Sequence, residues 1–295
     1  MNCPKCDFEQ QDGEVECFRC GVIFAKYKSS HKFYSSLTVQ PHKSDIQIQD
    51  IAKEGWICLL TGLFLAIVVL ISPILSFIFH PLLIIIHELG HTFSGWLFGY
   101  PALPAFDFVY GGGITIHGEK NIGILALVYL SFSGLFLYYL KNRTTLILLT
   151  VCISLYTLFT FTSLHDVFIL FMGHGSELIL SGVFLYRAIS GSSIVHSIER
   201  PLYAFAGFFI ELSNIRFSYQ LSRSEYHRLL YEEEKGGGHW MDFSRIAEEY
   251  LNVELSTVSM LFFLCCFLPP VMAFLACRYK RHGSSLIFNL FRRKA

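Results

Sequence analysis

The sequence predicts a mainly α-helical, polytopic membrane protein of about six spans, preceded by a small four-cysteine module. Three observations predict it. The 295 residues are 53% hydrophobic and only 16% charged, with a mean hydropathy of +0.48, whereas soluble domains carry about 25% charged residues. Several uncharged runs are long enough to cross a hydrocarbon core of about 30 Å. Of the nine cysteines, Cys3, Cys6, Cys17 and Cys20 cluster at the N-terminus. Cys58, Cys152, Cys265, Cys266 and Cys277 are scattered through apolar runs, where free cysteine behaves as a small buried hydrophobe. The formal net charge is zero, so nothing global points to nucleic acid or to an acidic partner.

Residues 1–28 form the cysteine module. Cys3-x-x-Cys6 and Cys17-x-x-Cys20 are two knuckles that can each place two thiolates on one metal, and Gly21 suits the turn after the second. Four thiolates make a closed tetrahedral zinc site, so the module reads as a zinc ribbon. Too short to bury a core, it would fold on its metal. The alternative, two disulfides or a redox pair, requires an oxidising compartment. The opening Met-Asn-Cys-Pro-Lys-Cys lacks the basic and apolar regions of a cleaved signal peptide, so the first membrane helix is expected to direct insertion. A closed site suits docking of a protein partner or substrate better than chemistry.

Residues 29–55 are polar and read as a linker. The membrane core, 56–215, opens with uncharged spans at 57–79, 121–140 and 144–164 and, between the first two, an apolar span at 81–98 that carries Glu88 and two histidines. Asp166, His174 and Glu177 then interrupt the apolar pattern, and 177–189 and 201–210 read as short, broken or tilted spans, which membranes tolerate where irregular backbone is buried in protein. Residues 216–255 are polar, with Glu232-Glu233-Glu234 and Gly236-Gly237-Gly238 marking a solvated loop. After it, Phe243, Ile246, Ala247, Tyr250 and Leu251 recur at helical spacing behind Asp242 as N-cap. A helix-turn-helix is the weaker reading, since no basic recognition face follows. The last span, 256–277, precedes a basic tail, 278–295, which the positive-inside rule places in the cytoplasm.

The chemistry concentrates in His87-Glu88-Leu89-Gly90-His91, inside the second apolar run. On a helix the two histidines share a face and can hold one metal, with Glu88 beside them as general base toward an activated water. An acidic side chain at the centre of a membrane helix costs roughly 2.5 kcal/mol or more, so three ionisable groups in five residues need a reason. The plainer reading is a packed polar patch between helices. A catalytic zinc needs a third protein ligand, for which Glu177, His174 and Asp166 are the candidates. Glu177 is preferred because its charge offsets part of the metal's, and Asp166 also suits a supporting role behind a ligand histidine. For each, the plain alternative is a satisfied interhelical contact. His80, His117 and His165 read as polar anchors without assignment. Phe106-Asp-Phe-Val-Tyr and Ile114-Thr-Ile-His around Gly111-Gly112-Gly113 read as a hairpin. Its edge would take an unwound substrate by strand addition or simply cover the site.

HELGH in an apolar helix, a Gly-rich loop after it and a distant Gly-rich polar motif together resemble the site-2 protease family of intramembrane zinc metalloproteases, over roughly residues 82–191. The resemblance implies that His87 and His91 bind zinc, that Glu88 is catalytic, and that the substrate is a membrane protein in the lipid bilayer. It also implies an aspartate third ligand in a Leu-Asp-Gly motif. This chain has no such tripeptide, and Met172-Gly173-His174-Gly175-Ser176-Glu177 occupies the comparable place. The expectation is zinc-dependent intramembrane proteolysis in a bacterial inner (plasma) membrane, with both termini cytoplasmic, one catalytic zinc in the membrane domain and one structural zinc in the ribbon. The rivals are a non-catalytic zinc-binding chaperone or regulator that uses the ribbon to bind partners, and a zinc hydrolase of lipids or small amides.

Overall fold

A computed structural model describes residues 2–3, 8–11, 13, 15–24, 51–107, 112–233 and 241–279. Cys6, most of the linker sequence, residues 108–111, residues 234–240 and the basic sequence from 280 lie outside the described residues. The chain divides into two units, Met1–Asp45 and Ile46–Ala295.

The first unit repeats one small device. Cys3 N–H donates to Phe8 O at 2.9 Å beside the Asn2↔Glu9 bridge, and Cys17 N–H donates to Val22 O at 3.0 Å beside the Glu16↔Ile23 bridge. Gly21 closes the second turn with φ +64°, a left-handed conformation open to glycine.

The second unit is mainly helical. α1 (Lys53–Ile71) ends at Ser72, and α2 (Pro73–Leu97) begins at once. The expected first span at 57–79 is thus divided, because Ser72 Oγ accepts from Leu75 N–H and Pro73 sits at the first helical position, where its missing N–H is harmless. Pro81, expected to open a span, lies inside α2. β1 (Ala102–Phe106) and β2 (Gly113–His117) form an antiparallel pair, Ala102 opposite His117. α3 (Ile122–Tyr138) and α4 (Arg143–Thr160) follow, each capped by an asparagine side chain. α3 buries no side chain fully, but Leu125, Val128, Tyr129 and Phe132 pack partly buried against Phe98, Tyr156 and Ile169.

α5 (Leu164–Ser190) is one continuous helix of 27 residues. His174-Gly175-Ser176-Glu177 therefore does not open a helix but lies within one. The polar side chains do not break it because they point at other side chains, and Gly173, just before the motif, admits the histidines of α2. α6 (Glu199–Arg223) is likewise 25 residues long, where a short span was expected. It packs along α1 and α5 and buries Glu211, Asn214 and Ser218. Ser181 Oγ donates to Glu211 Oε2 at 2.7 Å, so part of this polarity is satisfied internally.

α7 (Glu225–Glu233) is followed, after residues 234–240, by α8 (Asp242–Arg245), a π-helical turn (Ile246–Leu251), α9 (Leu255–Cys265) and α10 (Leu268–Arg278). Asp242 is the first helical residue and Met241 the N-cap, one position from the expectation. Among the described residues five helical segments are long and apolar enough to cross a membrane: α1, α2, α4, α5 and Leu255–Arg278 taken together. α3 is apolar but shorter. Small residues let the helices approach. A Cβ on Gly62 would strike Ala204, and one on Gly90 would strike the Met172 carbonyl, the close packing on which helix association in lipid depends.

Candidate metal centre

His87 and His91 project from one face of α2 toward α5, which runs antiparallel to it: Glu177 meets His87, and Ile169, two turns earlier, meets His91. Ser176 Oγ fixes the crossing by donating to Ile86 O at 2.8 Å. Gly173 forms the floor between the histidines. A Cβ there would lie 2.5 Å from His91 Nε2 and 2.6 Å from His87 Nε2, so only glycine leaves room for both rings and anything they hold.

The third group comes from far along the chain. Asp242 Oδ2 lies 3.0 Å from His87 Nε2 and 3.1 Å from His91 Nε2, and the two Nε2 atoms are 3.1 Å apart. Three donors thus form a nearly equilateral triangle. Ligands about 2.05 Å from a tetrahedral zinc would be about 3.3 Å apart, so the triangle fits such an ion with a few tenths of an ångström of expansion. The packing of α8 sets Asp242 in place. Phe243 is fully buried against His174, Phe217 and Phe262, and Ile246 and Ala247 anchor the π-turn, a local form frequent at functional sites. Burial alone would raise the Asp242 carboxyl, but His91 and His87 beside it hold it well below the usual carboxylate range.

The other ring nitrogens are also engaged. His91 Nδ1–H donates to Ile169 O at 2.8 Å, and His87 Nδ1 meets Glu177 Oε1 at 3.2 Å. Partners on Nδ1 fix each ring and leave Nε2 for a metal. The second oxygen of Glu177 faces His174 Nδ1 at 3.3 Å, and the His174 ring stacks on Phe217. His87, His174 and Glu177 therefore form a second group of clustered donors, on the Nδ1 side of His87. Asp166 pairs with His165 at 3.3 Å and is in neither group among the described residues.

Glu88 is buried on the adjoining face of α2. Thr115 Oγ1 of β2 donates to its Oε2 at 2.6 Å, and a Cβ on Gly113 would collide with its carboxylate. A cavity of about 930 Å³ joins these parts. Leu70, Leu83 and Phe209 line its apolar region; Thr115, His117 and Asp166 also line it.

In the first unit, Cys3, Cys17 and Cys20 offer sulfurs within 4.8 Å of one another. Burial opposes the Cys17 thiolate, but the backbone N–H groups of Cys20 and Arg19 and the neighbouring thiols lower its pKa to about 6. This is the state a metal requires.

The sequence reading missed Asp242 as a site residue. The only signal was a carboxylate at the start of an amphipathic helix, which serves equally as a cap. Comparison with protein families, with curated proteins and with solved structures gives no match for this chain.

Proposed function

We propose that the protein is a zinc-dependent peptidase acting on membrane proteins in or near the bilayer, as the resemblance to site-2 proteases implies. The observation that carries this reading is the convergence of His87 Nε2, His91 Nε2 and Asp242 Oδ2 beside a buried, oriented Glu88. Two imidazoles and one carboxylate, with room for a further ligand, is the donor set of a catalytic zinc. His87, His91 and Asp242 would hold the ion, whose chemistry when bound is to polarise a carbonyl and to lower the pKa of water toward about 7.

Glu88 then takes a proton from the attacking water and passes it to the departing amine. Thr115 holds the carboxylate on one oxygen and leaves the other for the proton. Glu177 and the Ile169 carbonyl keep the histidines oriented.

The hairpin suits an extended substrate. Gly118 N–H bonds Pro101 O, and Asp107 N–H bonds Gly112 O. By the alternation of an antiparallel ladder, the backbone groups of Thr115 and His117 project from the edge away from β1. The outer edge of β1 is blocked. Pro104 has no N–H there, and Ala102 O accepts from Trp96 Nε1 at 2.8 Å. Strand addition is thus directed to β2, the strand that lines the cavity. The ribbon would hold a second, structural zinc on Cys3, Cys6, Cys17 and Cys20, and both chain ends would face the cytoplasm.

The test is zinc content and cleavage of a generic unfolded protein, fluorescein-labelled casein, by the purified full chain and its Glu88→Gln variant. Zinc in both and turnover only in the wild type is expected. Equal function of both in cells, with no turnover by either, would select the non-catalytic chaperone.

A further inference from the structure

We infer that His117 is the electrophilic partner of Glu88: its imidazole N–H donates to the oxyanion that develops on the scissile carbonyl. This rests on the peptidase reading above.

Glu88, His91 and Gly95 of α2 recur at i, i+3 and i+7, so they form one stripe of the helix. β2 lies along that stripe. Alternate residues of a strand point to one face, and those of β2 meet the stripe in order: Gly113 and Thr115 at Glu88, and His117 at Gly95. Gly95 is built for this contact. A Cβ on it would lie 2.9 Å from His117 Cε1 and 3.0 Å from His117 Nδ1. The imidazole therefore occupies the space of the missing side chain, at a helix position one turn from His91 whose Cβ would stand about 6 Å from that of His91.

His117 also lines the cavity that holds Glu88, His91 and Asp242. Among the described residues no hydrogen bond engages its ring, in contrast to His87, His91, His165 and His174. Two residues apart on one strand, Thr115 steadies the base and His117 presents an unengaged donor. A peptide in the cavity would have Glu88 and His117 at different points of the same stripe.

The reaction places opposite demands on these points. As the water oxygen bonds to the carbonyl carbon, Glu88 receives the water proton and the carbonyl π electrons move onto oxygen. His117 N–H stabilises that oxygen without giving up its proton. The C–N bond then breaks as Glu88 returns the proton to nitrogen. Preorganised donors of this kind, in a site shielded from bulk water, supply a large part of hydrolytic rate enhancement.

The test compares His117→Phe, which fills the space on Gly95 without a donor, His117→Gln, which keeps an N–H, and Gly95→Ala, which displaces the ring without altering it. The probes are a phosphinic dipeptide with apolar side chains, whose tetrahedral anion mimics the developing oxyanion, and acetohydroxamate, which needs only the metal. His117→Phe and Gly95→Ala are expected to weaken phosphinate binding at least about tenfold while leaving zinc content and acetohydroxamate affinity unchanged. On labelled casein their kcat should fall about 10²- to 10³-fold, as for loss of one oxyanion donor, with KM nearly constant. His117→Gln should recover much of both. Wild-type phosphinate affinity in His117→Phe, no phosphinate binding by the wild type, or loss of zinc from the variants would overturn the inference. If the wild type binds phosphinate through His117 but cleaves no protein, the peptidase reading fails and the placement of His117 stands.

Discussion

Asp242 Oδ2 lies 3.1 Å from His91 Nε2 although 151 residues separate the two in the chain. The contact joins a short polar helix near the end of the fold to the second membrane helix, and it completes a donor set that neither segment possesses alone. Removal of Asp242 should therefore empty the membrane-domain site. Asp242→Ala is expected to lower its zinc occupancy as much as His87→Ala does, by metal analysis of the purified full chain. Full retention of that zinc would remove Asp242 from the ligand set.

Glu177 acts on the far side of His87, and its loss should be milder. Glu177→Gln is expected to weaken zinc about 10- to 100-fold, the usual effect of removing a group that orients a ligand histidine. A competition titration with a chelator of known affinity measures this. A loss as complete as that of Asp242→Ala would make Glu177 a direct ligand, as the sequence alone suggested.

Glu88 should be separable from the metal. Glu88→Gln keeps the shape but cannot accept a proton, so zinc stays and turnover goes. Thr115→Val should lower kcat about 10- to 100-fold, the equivalent of one hydrogen bond to a charged group, about 1.5–3 kcal/mol. Thr115→Ser should restore most of it. A Thr115→Val variant of undiminished kcat would show that Glu88 needs no such support.

Gly173 offers a purely steric test. Gly173→Ala places a methyl between the histidine Nε2 atoms and should abolish zinc binding while α5 persists, since alanine favours helix over glycine. Normal zinc content in that variant would refute the described crossing of α2 and α5.

The two metal sites should be lost independently. Cys17→Ser is expected to release one zinc of two and unfold only the N-terminal unit, which has no large core to hold it. His91→Ala should release the other. One zinc in the wild type, indifferent to His91→Ala, would leave the membrane site without a metal.

Much of the fold was legible because apolar length and composition report membrane helices directly. The uncharged run at 144–164 became α4, long enough to cross, whereas 121–140 became α3, a shorter apolar helix. His87, Glu88 and His91 were legible because a helix converts spacing of four into a shared face. Two features were not. Polar residues at 166, 174 and 177 looked like breaks, yet α5 runs through them because each faces another side chain. Sequence pattern records the polarity of a residue and not what it meets. Asp242 was hidden for a related reason. Its role depends on a contact between distant segments, and local spacing carries no trace of that.

The origin of Asp242 also sets a time at which the site can exist. A ribosome adding about 5–20 residues per second reaches position 242 roughly 8–30 s after position 91. Throughout that interval the nascent chain carries both histidines and, later, Glu177 beside His87, but not the Asp242 carboxylate that meets both Nε2 atoms. On the peptidase reading, the growing protein would therefore lack its third ligand while its first helices are being made. On that reading, competence would wait for the one late segment that closes the centre to emerge and dock.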